Sequence, residues 1–235
     1  MADAATALFV HGAWHGAWCW DRVVPSLESQ GIRCVVVDLP TCDESRDGDM
    51  CLADDVWAVR KTIDSIDGPV IVIGHSYGGM VITEGAAGCA NVRRLVYLAA
   101  FMPDVGESVL TLITSGEQAS DIAEALRVTE SGRSFVDDAQ VGRYFYGDCD
   151  EETIAWASSR LRSMRGDMTE GPAAVAWRDI PSTFVIAAQD RAIPPSAQRR
   201  MSERATECVE WPTSHSPFAS QPQLVIDLVS ALARR

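Results

Sequence analysis

The sequence predicts an α/β fold: a doubly wound, six-stranded, mostly parallel sheet with a helical cap inserted after the fourth strand. Three observations predict it. Short apolar runs alternate with segments of helical spacing, as in a parallel sheet covered on both faces. The alternation lapses over residues 102–180 and then resumes. A Gly-x-Ser-x-Gly turn joins the third apolar run to the helical pattern that follows it.

The first strand is Ala7-Leu8-Phe9-Val10, which ends at His11-Gly12. Residues 19–30 read as a helix closed by Gly31, and Cys34–Val37 as a second, β-branched strand that ends at Asp38-Leu39-Pro40. A polar loop over 41–49 leads to a helix that Asp49 is placed to cap. There Leu52, Val56, Val59, Ile63 and Ile66 recur at helical spacing, and Gly68-Pro69 stops them. Val70–Ile73 is the third strand, 77–89 a helix and Leu95–Leu98 the fourth strand. Between 102 and 180 lie polar Gly-containing stretches and short amphipathic pieces, two of them carrying Trp156 and Trp177, and no strong strand appears, which reads as a helical insertion. Strand Thr183–Ile186, a helix near 195–205, strand Glu207–Glu210 and a helix with Leu224, Val225, Leu228, Val229 and Leu232 on one face complete the chain. The core is thus expected over 1–101 and 181–235, with the cap over 102–180.

The 235 residues suit one α/β domain with an insertion. Lys plus Arg is 20 against 33 Asp plus Glu, a formal net charge of −13. Such a surface repels phosphate backbones and anionic lipid, so neither nucleic acid nor a membrane is an expected partner. The cysteines number seven and form no Cys-x-x-Cys, which argues against a disulfide framework and a zinc site and for a reducing compartment. The N-terminus has no basic region before an apolar run, and no apolar run is long enough to span a bilayer. The expected location is cytoplasmic, with no cofactor and no metal, and a homodimer is compatible with the composition.

Gly74-His75-Ser76-Tyr77-Gly78 carries the chemistry. A serine on a sharp strand-to-helix turn sits in a strained backbone, so its close neighbours must lack a Cβ. The turn lifts the hydroxyl clear of the sheet, which makes Ser76 the candidate nucleophile. Four β-branched residues before it and a helix pattern after it supply the required setting. Of the four His, His11 ends a strand, His15 lies in a loop and His75 points away from the serine hydroxyl. His215 follows the last strand and is the candidate base. Asp190 follows the penultimate strand, where open α/β sheets place their sites, and Ser76, Asp190, His215 is a working chain order for a triad. Asp104, after the fourth strand, is the reserve acid. The backbone N–H of Tyr77 and that of Ala13, in the loop opened by Gly12, are the candidate oxyanion donors. At least one of Trp14, Trp18 and Trp20 is expected to pack in the core.

His11-Gly-Ala-Trp-His-Gly-Ala-Trp18, Asp38-Leu-Pro40, Gly74-His-Ser-Tyr-Gly-Gly79, Leu98-Ala-Ala-Phe-Met-Pro-Asp104 and Gln189-Asp-Arg-Ala-Ile-Pro194 resemble the plant methylesterase and hydroxynitrile-lyase group of α/β-hydrolases, with their bacterial esterase relatives. The resemblance covers both flanks of the chain and thins across 110–178. It implies a Ser76–His215–Asp190 triad, an oxyanion hole from Ala13 and Tyr77, and a small apolar pocket under a helical cap with Phe101 near it. Gly12, Trp14, Phe101, Trp156 and Trp177 are the candidate substrate-binding residues. The lyases of the group carry Thr in the position of Gly12 and Lys directly after the triad His, where this chain has Ser216. That departure favours ester hydrolysis of a small, largely apolar substrate through an acyl-enzyme. Two rivals stay open: a non-hydrolytic lyase or natural-product tailoring enzyme on the same triad, and a ligand receptor that keeps the fold. A halide-displacing enzyme would need a carboxylate at position 76.

Overall fold

The computed structural model describes residues 4–46, 48–114, 120–166 and 168–235. Its strands are β1 (Thr6–Val10), β2 (Cys34–Val37), β3 (Val70–His75), β4 (Val92–Leu98), β5 (Leu126–Val128), β6 (Ser134–Val136), β7 (Ser182–Ala187) and β8 (Glu207–Trp211). Six of them form one sheet in the order β2-β1-β3-β4-β7-β8, with every neighbouring pair parallel. The chain lays β2 on one side of β1 and then builds outward on the other, which is the doubly wound arrangement the sequence predicts. Every residue of β1, β3 and β7 is buried. That is why these strands read as unbroken apolar runs, and each such Val or Ile contributes about 1.5–3 kcal/mol.

The helices are α1 (Val24–Ser29), α2 (Leu52–Asp64), α3 (Gly78–Gly85), α4 (Val109–Thr114), α5 (Asp138–Phe145), α6 (Glu151–Ser158), α7 (Pro195–Ser202), α8 (Pro217–Ser220) and α9 (Pro222–Ala233). Several depart from the sequence reading. The helix expected over 19–30 is split into a 3-10 turn at Ala17–Trp20 and α1, because Pro25 fits only a first turn. Asp49 does not cap α2; the N-cap is Cys51, whose N–H donates to the Asp54 carboxylate at 2.9 Å, while Asp49 is fully exposed.

Between β4 and β7 lie α4, α5 and α6. Asp137 caps α5 through the Ala139 N–H (3.1 Å), and Asp150 caps α6 through the Thr153 N–H (2.8 Å). The stretch also holds strands, contrary to expectation: β5 and β6 form an antiparallel hairpin. Three residues per strand are too few to print a two-residue period. Ser134 of β6 exchanges both backbone bonds with Met164, each at 2.8 Å, which ties the hairpin to the segment after α6. Among the described residues, no helix is long and apolar enough to cross a membrane.

Candidate active site

The winding direction reverses between β1 and β3, which are neighbours with Val10 opposite Gly74. Open α/β sheets bind ligands at the carboxyl ends of such a pair. The loop His11–Gly16 therefore lies beside the turn at Ser76. Ser76 has φ 52, a left-handed conformation rare outside glycine. It is held there by bonds to the end of β4 and the loop after it: its N–H donates to the Leu98 carbonyl (3.3 Å), and its carbonyl accepts from Phe101 N–H (3.1 Å). Gly78 opens α3 against β1. A Cβ there would meet the carbonyl oxygens of Val10 and His11 at 2.7 Å, so only glycine permits the approach.

The other two members come from β7 and β8. Their pairing runs on past the strand ends, with Ala188 N–H on Trp211 O and Gln189 N–H on Thr213 O, both 2.9 Å. Asp190 and His215 consequently face each other: His215 Nδ1 is 2.7 Å from Asp190 Oδ2, with both side chains buried. A carboxylate only accepts, so Nδ1–H is the donor of this bond. Asp190 also accepts from Ala192 N–H (2.7 Å), Ile193 N–H (2.9 Å) and Gln198 Nε2 (2.7 Å). Asp104, the reserve acid, bonds Arg178 (2.5 Å) and the Val105 N–H (2.7 Å) instead.

Three further histidines crowd this end of the sheet. His75 Nε2–H donates to the His215 carbonyl at 2.9 Å, and the two rings lie 4.7 Å apart. His15 Nδ1–H donates to the Ala13 carbonyl (2.8 Å), while its Nε2 accepts from the Tyr146 hydroxyl (2.8 Å). Burial drives the His15 pKa down to about 3 and that of His75 well below the ordinary imidazole value. Both are neutral at neutral pH. His11 Nδ1 donates to the Gly12 carbonyl (2.8 Å), and its Nε2 lies 3.0 Å from the Leu39 N and 3.1 Å from Asp38 Oδ1.

Ser76, Ala13 and Tyr77 form one side of a cavity of about 60 Å³, with Trp14, Phe101 and Phe145 as walls. Val109 and Ile113 of α4, Ile122, Leu126 and Met168 close it, with Ala192 and Ile193. None of the described residues that line it is charged. Gly12 is packed beneath it, where a Cβ would lie 2.8 Å from Ser76 Cβ. Two sequence expectations are corrected. Trp156 stands against Trp18 (5.2 Å) between Arg22 and Arg160, and Trp177 bonds the Pro103 carbonyl (2.8 Å) between Arg178 and Arg204. Neither lines the cavity; each lends an indole face to cations on the outside. Trp20 packs in the core on Phe9 (4.8 Å) and Phe218 (5.3 Å), and Trp14 is buried as well.

Sequence reasoning missed two buried polar groups. Gln198 accepts from Ala187 N–H (3.0 Å) as it donates to Asp190, and its position on α7 among Ser and Arg reads as solvent-facing. Asp55 of α2 accepts from Thr41 N–H (3.0 Å), the Thr41 hydroxyl (2.7 Å) and the Tyr77 hydroxyl (3.0 Å). Burial pushes its pKa up to about 6 despite these bonds. A polar residue inside an otherwise apolar helical stripe was the available signal for it.

A parallel sheet that carries a serine on a left-handed turn, with a buried His–Asp pair two strands away, defines the class: the chain belongs to the alpha/beta hydrolase family, whose model matches residues 7–228. It is 27% identical to a pyrethroid hydrolase of Sphingobium wenxiniae over 96% of this chain and 86% of that one. It is also 27% identical to methylesterase 1 of Arabidopsis thaliana, over 96% and 95%. The crystal structure of a pyrethroid hydrolase from Sphingobium faniae superposes with a TM-score of 0.85 at 24% identity, covering 98% and 97%, which is a likeness of fold.

Proposed function

We propose that this chain is a serine esterase that hydrolyses a neutral, largely apolar carboxylic ester. The observation that carries the reading is Ser76 itself, held at φ 52 against a cavity whose described lining bears no charge. In this reading His215 Nε2 takes the Ser76 proton as Oγ attacks the ester carbonyl. The backbone N–H groups of Ala13 and Tyr77 receive the oxyanion, and Asp190 holds the imidazole tautomer and stabilises the imidazolium. The alcohol leaves with the proton from His215. Water then enters, deprotonated by the same imidazole, and releases the acid.

The esterase relatives support the chemistry, and the chemical character of the cavity supports a neutral substrate. Its volume, about 60 Å³, is under half of the roughly 150 Å³ that holds a benzene. In this reading the wall formed by α4, Ile122, Leu126 and Met168 yields to admit an ester. All seven cysteines are free, which supports a reducing, cytoplasmic setting, and the acidic surface supports a small-molecule partner over nucleic acid. Oligomeric state, including a homodimer, is read by sedimentation.

Stopped-flow hydrolysis of short and long p-nitrophenyl esters by wild type and Ser76→Ala, with fluorophosphonate labelling, tests the reading. Ser76→Ala is expected to lose about four to six decades of kcat. Undiminished turnover in that variant, or a label on another residue, overturns the mechanism.

A further inference from the structure

We propose that Ser134, on the hairpin between β4 and β7, is a positioning residue for the oxyanion hole and acts through Trp14. This rests on the reading of Ala13 as an oxyanion donor. Trp14 directly follows Ala13 and has φ 62. A bulky residue in the left-handed region persists only where its surroundings hold it. Two of the bonds that do so come from outside the core, beside the contact of the buried Cys42 thiol with the Trp14 backbone. The Trp14 indole N–H donates to the Ser134 Oγ at 3.1 Å, and the Trp14 carbonyl accepts from Arg162 N–H at 2.8 Å.

Both partners belong to one knitted unit. Ser134 pairs with Met164 through two 2.8 Å backbone bonds, and its hydroxyl donates to the Met164 carbonyl at 3.4 Å, which turns a lone pair towards the indole. Arg133, next along the hairpin, is buried and donates from Nε to the Ser163 hydroxyl at 2.8 Å and from a terminal nitrogen to the Ser163 carbonyl at 2.9 Å. The side chain of Arg162 lies across Gly16, where a Cβ would fall 2.7 Å from Cζ, and reaches Asp38 at 2.7 Å. Asp38 in turn accepts the Ala17 N–H at 3.1 Å. Loop 12–17 is thus clamped between the sheet and the hairpin unit, with its least comfortable residue fastened to the hairpin side.

The Ala13 N–H lies in the peptide unit between Gly12 and Ala13, directly before the left-handed Trp14, so in this proposal the restraint on Trp14 carries back to where that N–H points. The donor is therefore aimed when the hairpin is seated on Trp14, and loses that aim when the hairpin lifts. Ser134 touches no reacting atom in this scheme; it fixes where the donor points.

The test is a double-mutant cycle on Trp14→Phe and Ser134→Ala, with Ser134→Thr as the conservative variant, read with p-nitrophenyl butyrate. Misaiming one donor is expected to lower kcat about tenfold in each single variant, with KM within about twofold in Ser134→Ala, whose side chain does not line the cavity. The double variant is expected to fall no further than the lower single one, because the two residues share one bond. Ser134→Thr keeps the hydroxyl and is expected to recover kcat to within about threefold of wild type. Trp14→Phe keeps the ring, so it reads the same bond should Ser134→Ala unfold. Wild-type kcat in the single variants, a rise in KM alone, or losses that multiply in the double variant each overturn the proposal. Ser76→Ala separates the two readings: if it keeps turnover the esterase reading fails, whereas if it is inactive and the cycle is additive only the role of Ser134 fails.

Discussion

His215 Nδ1 and Asp190 Oδ2 lie 2.7 Å apart, closed off from solvent, and the same Asp190 oxygen accepts from Gln198. Asp190→Asn would place an amide opposite Nδ1 and favour the wrong tautomer. A loss of about four decades in kcat is expected, against less than about twofold for Asp104→Asn, whose carboxylate meets Arg178. Steady-state hydrolysis by the two variants checks it, and a larger loss at Asp104 contradicts the assignment.

Gln198 joins the Ala187 N–H to Asp190 from inside α7. Gln198→Leu would leave that N–H without an acceptor and take a donor from the carboxylate. Urea unfolding is expected to register a loss of about 2–4 kcal/mol, and kcat a fall of about tenfold as the carboxylate gains freedom. Stability equal to wild type would remove Gln198 from the network.

A Cβ on Gly12 would stand 2.8 Å from Ser76 Cβ and 3.0 Å from His75 Nδ1. A threonine there, as the related lyases carry, would displace the serine. Gly12→Thr is expected to lose about 100-fold or more in esterase kcat and to gain no cleavage of mandelonitrile. Cyanide release by the variant is the measurement, and its appearance would revive the lyase reading.

Burial holds the Asp55 pKa near 6, above the 3.8 of a free side chain. The folded state therefore binds the proton more tightly than the unfolded chain. The stability this confers is complete below about pH 4 and is lost as the pH rises through about 6. Asp55→Asn imitates the protonated carboxyl and removes the titration. Relative to that variant, wild type is expected to lose about 2 kcal/mol between pH 4.5 and pH 8, as measured by urea unfolding at each pH. A constant difference between the two proteins would contradict the shift.

The sheet was legible because its strands are buried on both faces and so read as unbroken apolar runs. That Ser76, Asp190 and His215 lie at one end of the sheet was legible because each follows a strand of it. Gln198 was not, since a polar residue on a charged helix looks the same whether it faces water or a carboxylate. Trp156 and Trp177 misled for a related reason: an indole on a short amphipathic piece suits a pocket or a cation equally, and only packing separates them. The β5–β6 hairpin left no signature, and with it the contact between Ser134 and Trp14 stayed hidden. Contacts between distant segments of one chain are set by tertiary geometry, which local periodicity does not encode.

That none of the described residues lining the cavity is charged has a consequence for product release. An ester enters neutral, but its hydrolysis leaves an acid that ionises at neutral pH. A carboxylate in this chamber has lost its hydration and meets no cationic side chain among the described lining, so the backbone N–H groups proposed for the oxyanion compensate only part of a cost of several kcal/mol. The reaction thus converts a molecule the chamber accepts into one it expels. Accumulating acid should inhibit this enzyme feebly at pH 8 and more strongly below the acid's own pKa, so that turnover at neutral pH is drawn forward by the ionisation of what it makes.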